Sequence, residues 1–128
     1  NVPQARIDLR VGGAFELLFQ PDQAAGARGS EGCRVLSYVP DRMLSFSWNT
    51  PSHLSVGRSL TWVVLSFTEE ADGTEVELVH NGFLQGQEWD EAREYFRHAW
   101  RRVLRRMADH WADDSALTAV SDAVQVSR

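Results

Sequence analysis

One histidine, His80, is the best-placed side chain for acid–base chemistry. It falls on the apolar side of the segment TEVELVHNGF, in step with Val76 and Leu78. An imidazole in an apolar wall can contact a ligand or move a proton near neutral pH. However, the sequence shows no partner that would orient or tune this ring. We therefore favour the alternative, a buried histidine whose nitrogens are bound by neighbouring side chains.

The other reactive side chains form no recognised constellation. Cys33 is the single cysteine, and a structural thiol is favoured over a nucleophile because no activating motif surrounds it. His98 and His110 lie too far apart on a predicted helix to form a close metal-binding pair. The sequence contains no G-x-S-x-G elbow, phosphate loop or dinucleotide fingerprint. It therefore indicates no catalytic residue, no metal site and no cofactor.

The aromatic side chains raise a different possibility, a binding pocket. In the stretch RMLSFSWNTP, the large side chains of Leu44, Phe46 and Trp48 alternate with serines, so they share one face of a strand. They belong either to a solid core or to the wall of a pocket. Most of the 5 tryptophans are expected in the core. Trp48 and Trp100 are the best candidates for a wall, one from the sheet and one from a helix.

A basic cluster follows on the predicted helix, made of Arg101, Arg102, Arg105 and Arg106. Such a cluster could contact an acidic partner or an anionic ligand. A solvated helix face is the favoured interpretation.

Composition narrows the class of protein. The chain has 128 residues, 43% of them hydrophobic, which is typical of one globular domain with a real core. Its net charge of -5 argues against nucleic-acid binding. No apolar run is long enough to span a bilayer and no signal peptide is visible. Together with the lone cysteine, this predicts a cytoplasmic protein.

Hydrophobic alternation predicts six strands in the first two thirds of the chain. Gly12 with Gly13, and Asp72 with Gly73, are turn signals between them. The predicted strands span residues 5–11, 14–20, 33–39, 43–48, 59–70 and 74–83.

Over residues 88–112 the spacing of hydrophobic residues changes from the period of two typical of a strand to the period of a helix. Apolar side chains recur there at steps of three and four, with acidic residues early and arginines late, as suits the helix dipole. A sheet with one apolar face needs a covering layer, and this helix is the obvious one. The predicted fold is α+β, an antiparallel meander curled around one long helix.

Four segments carry a family resemblance by their order and spacing. They read DLRVGGAF, GCRVLSYVPDRMLSFSW, WVVLSFTEEADGTEVELVHNGF and EWDEAREYFRHAWRRVLRRM. The chain resembles bacterial SRPBCC proteins of the type called activator of heat-shock-protein-90 ATPase homologue-like. These belong to the START-like, or birch-pollen-allergen-like, helix-grip superfamily. The resemblance implies a curved antiparallel sheet gripping a C-terminal helix around an apolar cavity.

The two ends of the chain depart from the family pattern. The family's opening strand and helix pair have no counterpart before DLRVGG, so the domain is predicted over residues 1–112 without them. Residues 113–128 form a tail in which Val124 and Val126 alternate with polar residues. A frayed tail is favoured over an extra strand.

We expect this domain to bind a hydrophobic or amphipathic small molecule between sheet and helix without catalysis. A protein-interaction module resembling a chaperone ATPase activator is the first alternative. A cyclase or dehydratase, which would need His80 and a second titratable group, is the next. A homodimer is a further expectation if apolar surface is left uncovered at the cavity mouth. The predicted cavity wall comprises Phe15, Leu17, Phe19, Phe46, Trp48, Val76, Leu78, His80, Phe96 and Trp100.

Overall fold

Six strands in antiparallel pairing precede one long helix, as the periodicity predicts, and a short seventh strand follows the helix. The computed structural model describes residues 3–56, 59–111 and 124–126. The elements in these ranges are β1 Gln4–Ile7, β2 Phe15–Leu18, β3 Val35–Val39, β4 Met43–Asn49, β5 Leu60–Glu70, β6 Gly73–Asn81, α1 Gln87–Trp111 and β7 Val124–Val126.

The strands form two sheets rather than one continuous meander. β1 and β2 make an antiparallel hairpin, and β3, β4, β5, β6 and β7 make a five-stranded sheet in that order. The hairpin is tied to β3 by an isolated bridge between Ala14 and Arg34. Backbone bonds from Phe15 N to Cys33 O and from Val35 N to Gly13 O, both 2.8 Å, strengthen the join. The two sheets thus continue around the same core.

The first strand is shorter than predicted. After Ile7 the chain turns, with Gly13 N bonded to Arg10 O at 2.9 Å and Asp8 N bonded to Ala14 O at 2.9 Å. A Cβ on Gly13 would lie 2.1 Å from Asp8 O, so only glycine permits this close approach. Leu9 and Val11 consequently lie in the turn and are exposed.

The alternation in β4 places its side chains as predicted. Phe46 is paired with Val63 of β5, which in turn is paired with His80 of β6, so these side chains share the inner face. The buried side of α1 covers that face. The core cluster consists of Phe15, Val35, Phe46, Trp48, Leu54, Val63, Val76, Leu78, Phe83, Trp89, Ala92, Phe96, Trp100 and Leu104.

The backbone of β7 pairs in parallel with β6 opposite Leu78, Val79 and His80. The alternation noted at Val124 and Val126 therefore falls in a strand at the edge of the sheet. The rest of the predicted tail, residues 113–123 and 127–128, lies outside the described residues. The boundary of the domain at residue 112 stays a prediction.

Candidate functional site

An open cleft lies between α1, the end of β4 and the loop that follows β2. Its volume is about 450 Å³, within the range of small-molecule sites. One wall is a face of α1, from Tyr95 to Arg106, and the opposite wall is the loop segment 26–30. Trp48 and Asn49, at the end of β4, line the cleft between the helix wall and the loop wall.

Stacked aromatic rings fill the space between sheet and helix next to the cleft. Phe15 and Phe46 stack with their ring centres 3.8 Å apart. Trp48 contacts Trp100 across the two layers, with 4.9 Å between ring centres. Phe96 and Trp100 stack along the helix at 6.3 Å. The middle of the sheet–helix interface is thus solid core, and the cavity lies to one side of it.

His80 stands at the centre of a buried chain of hydrogen bonds. The indole N–H of Trp100 lies 2.9 Å from His80 Nδ1, and the Nε2 of the same ring lies 2.6 Å from Thr61 Oγ1. Thr61 Oγ1 in turn donates to the carbonyl of Trp48 at 3.0 Å. An indole N–H can only donate, and the Thr61 hydroxyl has a single proton. Nδ1 is therefore the acceptor, and Nε2 carries the ring proton that is donated to Thr61.

This arrangement holds the ring neutral. Burial lowers the pKa of His80 to about 3, because the lost hydration disfavours the cation. Both nitrogens are engaged, and the ring is fully buried between Phe83 and Phe96. The geometry supports the favoured interpretation of a histidine bound by its neighbours. The hydrogen bonds of His80 hold the indole of Trp100 beside the cleft. Through Thr61 they also hold the backbone carbonyl of Trp48 there.

Nine of the ten predicted wall residues fall into two groups, and Leu17 stands apart. Phe19, Trp48, Phe96 and Trp100 line the cleft. Phe15, Phe46, Val76, Leu78 and His80 are buried in the interior instead. Leu17 is partly buried and packs against the core. Inward direction alone selected both groups, because side chains on one face of a strand point the same way whether they meet a core or a cavity.

Sequence reasoning missed much of the helix wall and the whole loop wall. Tyr95, Ala99, Val103 and the arginines 102 and 106 repeat at steps of three and four, so a helical wheel could have grouped them with Phe96. The basic cluster is split by the fold, because Arg102 and Arg106 line the cleft and Arg101 and Arg105 do not. The loop wall includes Arg28, whose position no local pattern marks.

Polar side chains of the loop and of β4 hold the cleft in shape. Ser30 Oγ accepts the N–H of Leu17 at 2.8 Å and donates to the carbonyl of Phe15 at 3.3 Å. Asn49 donates to the carbonyl of Gly29 at 3.1 Å, and Cys33 Sγ donates to the amide oxygen of Asn49 at 3.4 Å. Burial raises the pKa of the Cys33 thiol. These bonds tie the loop to β2 and β4.

No group of three or more histidine, cysteine, aspartate or glutamate side chains is arranged to hold a metal ion within residues 3–56 and 59–111. A helix capable of crossing a bilayer is likewise missing from the described part of the chain.

The fold defines a class, the helix-grip domains, in which antiparallel strands pack against one long helix. A family model described as "Activator of Hsp90 ATPase homolog 1-like protein" matches residues 1–112. The chain belongs to this family, which is part of the SRPBCC, or START-like, superfamily of ligand-binding and activator domains. No curated protein and no solved structure matches the chain significantly.

Proposed function

We propose that this protein binds a hydrophobic or amphipathic small molecule, without catalysis, in the cleft beside α1. The observation that carries the proposal is the cleft itself, an open cavity of about 450 Å³ with aromatic side chains on two walls. Burial of ligand apolar surface there would stabilise the complex by roughly 25 cal/mol per Å² before ordering costs. Family membership supports this, because ligand binding is one of the roles of these domains.

The binding test uses 1-octanol, an uncharged probe, and ¹⁵N NMR of the tryptophan side chains. Each indole N–H gives its own signal, and the five tryptophans sample different surroundings. We expect saturable shifts for Trp48 and Trp100, which line the cleft, and none for Trp62, which lies on the outer face of β5. Equal, non-saturating shifts at all five would contradict the proposal.

A matched pair of variants separates binding from folding. Phe19 lines the cleft and is 52% exposed, so Phe19→Ala removes a contact for the probe at little cost in stability. Leu36 is similarly exposed, at 45%, but lies on β3 away from the cleft. We expect Phe19→Ala to weaken octanol binding by about threefold and Leu36→Ala to leave it unchanged. Equal effects of the two substitutions would argue against this site.

A second candidate function is activation of a chaperone ATPase, as the family description suggests. The observation that favours it is the outer face of β5, where Leu60 and Trp62 are adjacent on one side of the strand and are 61% and 44% exposed. Purified protein should then raise the ATPase rate of an Hsp90-type chaperone, and Leu60→Arg should abolish the increase. An unchanged rate with the wild-type protein would exclude this role.

A further inference from the structure

The charged side chains of the cleft all have one sign. Arg28, Arg102 and Arg106 line it, and no aspartate or glutamate is among the described lining residues. The chain as a whole has the opposite balance, with 18 acidic and 13 basic side chains. A cationic cleft in an acidic protein concentrates positive potential at one place and selects ligands by charge.

Two of these arginines have unused hydrogen-bond donors. Arg102 and Arg106 stand one helical turn apart on the same face of α1. Among the described residues neither makes an ion pair or a side-chain hydrogen bond, whereas Arg93 and Arg97 of the same helix are paired with Asp90 and Glu94 at 2.6 Å. Neither of the two helix arginines that border the cleft is therefore neutralised by a described carboxylate.

The third arginine and the polar side chains opposite are already engaged. The Nε of Arg28 lies 3.3 Å from Glu31 Oε1 and donates to the carbonyl of Gln23 at 2.9 Å. Ser30 and Asn49 hold the loop to the sheet, and Thr50 donates to the carbonyl of Val56 at 2.7 Å. Among the described residues, the cleft arginines that make no ion pair are thus both on the helix side, next to Val103 and Trp100.

We infer that the ligand is an amphipathic anion, with an oxyanion headgroup on Arg102 and Arg106 and an apolar portion against the aromatic walls. Guanidinium groups match the planar oxygens of a carboxylate and the oxygens of a phosphate, and they stay charged at every physiological pH. The inference rests on the proposed function, since it names the chemical class of molecule bound in the same cleft. A fatty-acid carboxylate and a phosphate monoester share this chemistry.

The test compares four probes of equal chain length, namely octanol, octanoate, octyl phosphate and octylammonium, by isothermal titration calorimetry at low ionic strength. We expect an anionic probe to bind about tenfold more tightly than octanol, and octylammonium to bind least. Whichever anion binds more tightly identifies the headgroup as carboxylate or phosphate. Inorganic phosphate, which lacks the apolar portion, should bind far more weakly than octyl phosphate.

Two double variants make the comparison specific. Arg102→Gln with Arg106→Gln removes two charges from the cleft, and Arg101→Gln with Arg105→Gln removes two from exposed positions of the same helix that do not line it. We expect the first pair to weaken binding of the preferred anion by about fivefold and to leave octanol binding within about twofold. The second pair should change neither. Glutamine is a good helix former, so α1 should be retained in both, as circular dichroism would show.

The outcomes separate this inference from the proposed function. Octanol binding without any preference for anions, or equal losses in the two double variants, would overturn the inference and leave the proposed function standing. If inorganic phosphate bound as tightly as octyl phosphate, the claim that the ligand has an apolar portion against the aromatic walls would be overturned. If octanol and the three charged octyl probes all fail to bind, the proposed function itself fails.

Discussion

At the scale of single residues, His80 couples three elements of the fold. Its own strand, β6, is linked through Thr61 to β5 and through Trp100 to α1. The bonds need a neutral ring, since a proton on Nδ1 would oppose the indole N–H of Trp100. The hydrogen bond that joins Trp100 of α1 to β6 therefore depends on the protonation state of one imidazole.

The lowered pKa of His80 makes the stability of the protein depend on pH. The pKa is about 3 in the folded chain and about 6.5 in the unfolded chain, so below pH 6.5 the unfolded state takes up a proton that the folded state does not. The contribution of neutral His80 to stability is thus fully present above about pH 6.5 and is lost as the pH falls toward about 3. We expect the free energy of unfolding in urea to fall by up to about 1.4 kcal/mol per pH unit between about pH 6 and 5.

His80→Gln is the control for this prediction, because an amide does not titrate but can still donate and accept a hydrogen bond. The variant should be less stable than the wild type near neutral pH and should lose the dependence between about pH 6 and 5, where carboxylates contribute little. A pH profile unchanged by His80→Gln would show that other groups cause it.

At the scale of elements, the cleft depends on how the loop after β2 is docked. Ser30 binds the backbone of β2, and Gly29 forms an isolated bridge with Leu18. The φ angle of Gly29 is +148°, and a Cβ there would lie 2.1 Å from the carbonyl oxygen of Leu17. The carbonyl belongs to the backbone, so no side-chain movement relieves the clash.

Gly29→Ala should consequently release the loop wall of the cleft. We expect a loss of about 3 kcal/mol or more in the free energy of unfolding, together with weaker octanol binding. Gly26→Ala is the matched control, because Gly26 also has a positive φ, +90°, but a Cβ there meets nothing within 4 Å. It should cost about 1 kcal/mol from backbone strain alone. Similar losses in guanidinium unfolding for both variants would contradict a specific contact at Gly29.

At the scale of the whole molecule, the edges of the sheet decide what else the chain can pair with. β6 is covered by β7, which pairs in parallel opposite Leu78, Val79 and His80. An uncovered strand presents unpaired N–H and C=O groups that other chains can join. The short strand at 124–126 thus closes the side of the sheet next to the most buried part of β6.

Removal of residues 124–128 should expose that edge and cause self-association. We expect the shortened chain to elute as dimers or larger species in size-exclusion chromatography with light scattering, at concentrations where the full chain shows a smaller mass. Slower amide exchange at Leu78, Val79 and His80 in the full chain than in the shortened one would locate the cause. A shortened chain with the same mass and exchange rates as the full one would show that β7 does not protect β6.

Much of the fold followed from the sequence because its information is local. The change of hydrophobic period located the helix to within one residue at each end, and alternation located β3 to β6 closely. Among the six predicted strands the match was poorest at β1, where Leu9 and Val11 continue the alternation but a turn built on Gly13 takes them out of the strand. Hydrophobic alternation with a period of two residues does not show where the backbone hydrogen bonds of a strand end.

The sequence by itself therefore determined the order of the first six strands and the helix, most of the inward-facing side chains and the family. Only the tertiary structure decided which inward side chains meet a cavity, because that depends on layer spacing and on a loop distant in sequence. It placed Phe46 and His80 in solid core, and it left Trp100 between core and cleft. It also separated Arg102 and Arg106 from their neighbours Arg101 and Arg105, since a turn of helix directs adjacent residues to different sides and only packing shows which side faces the cleft.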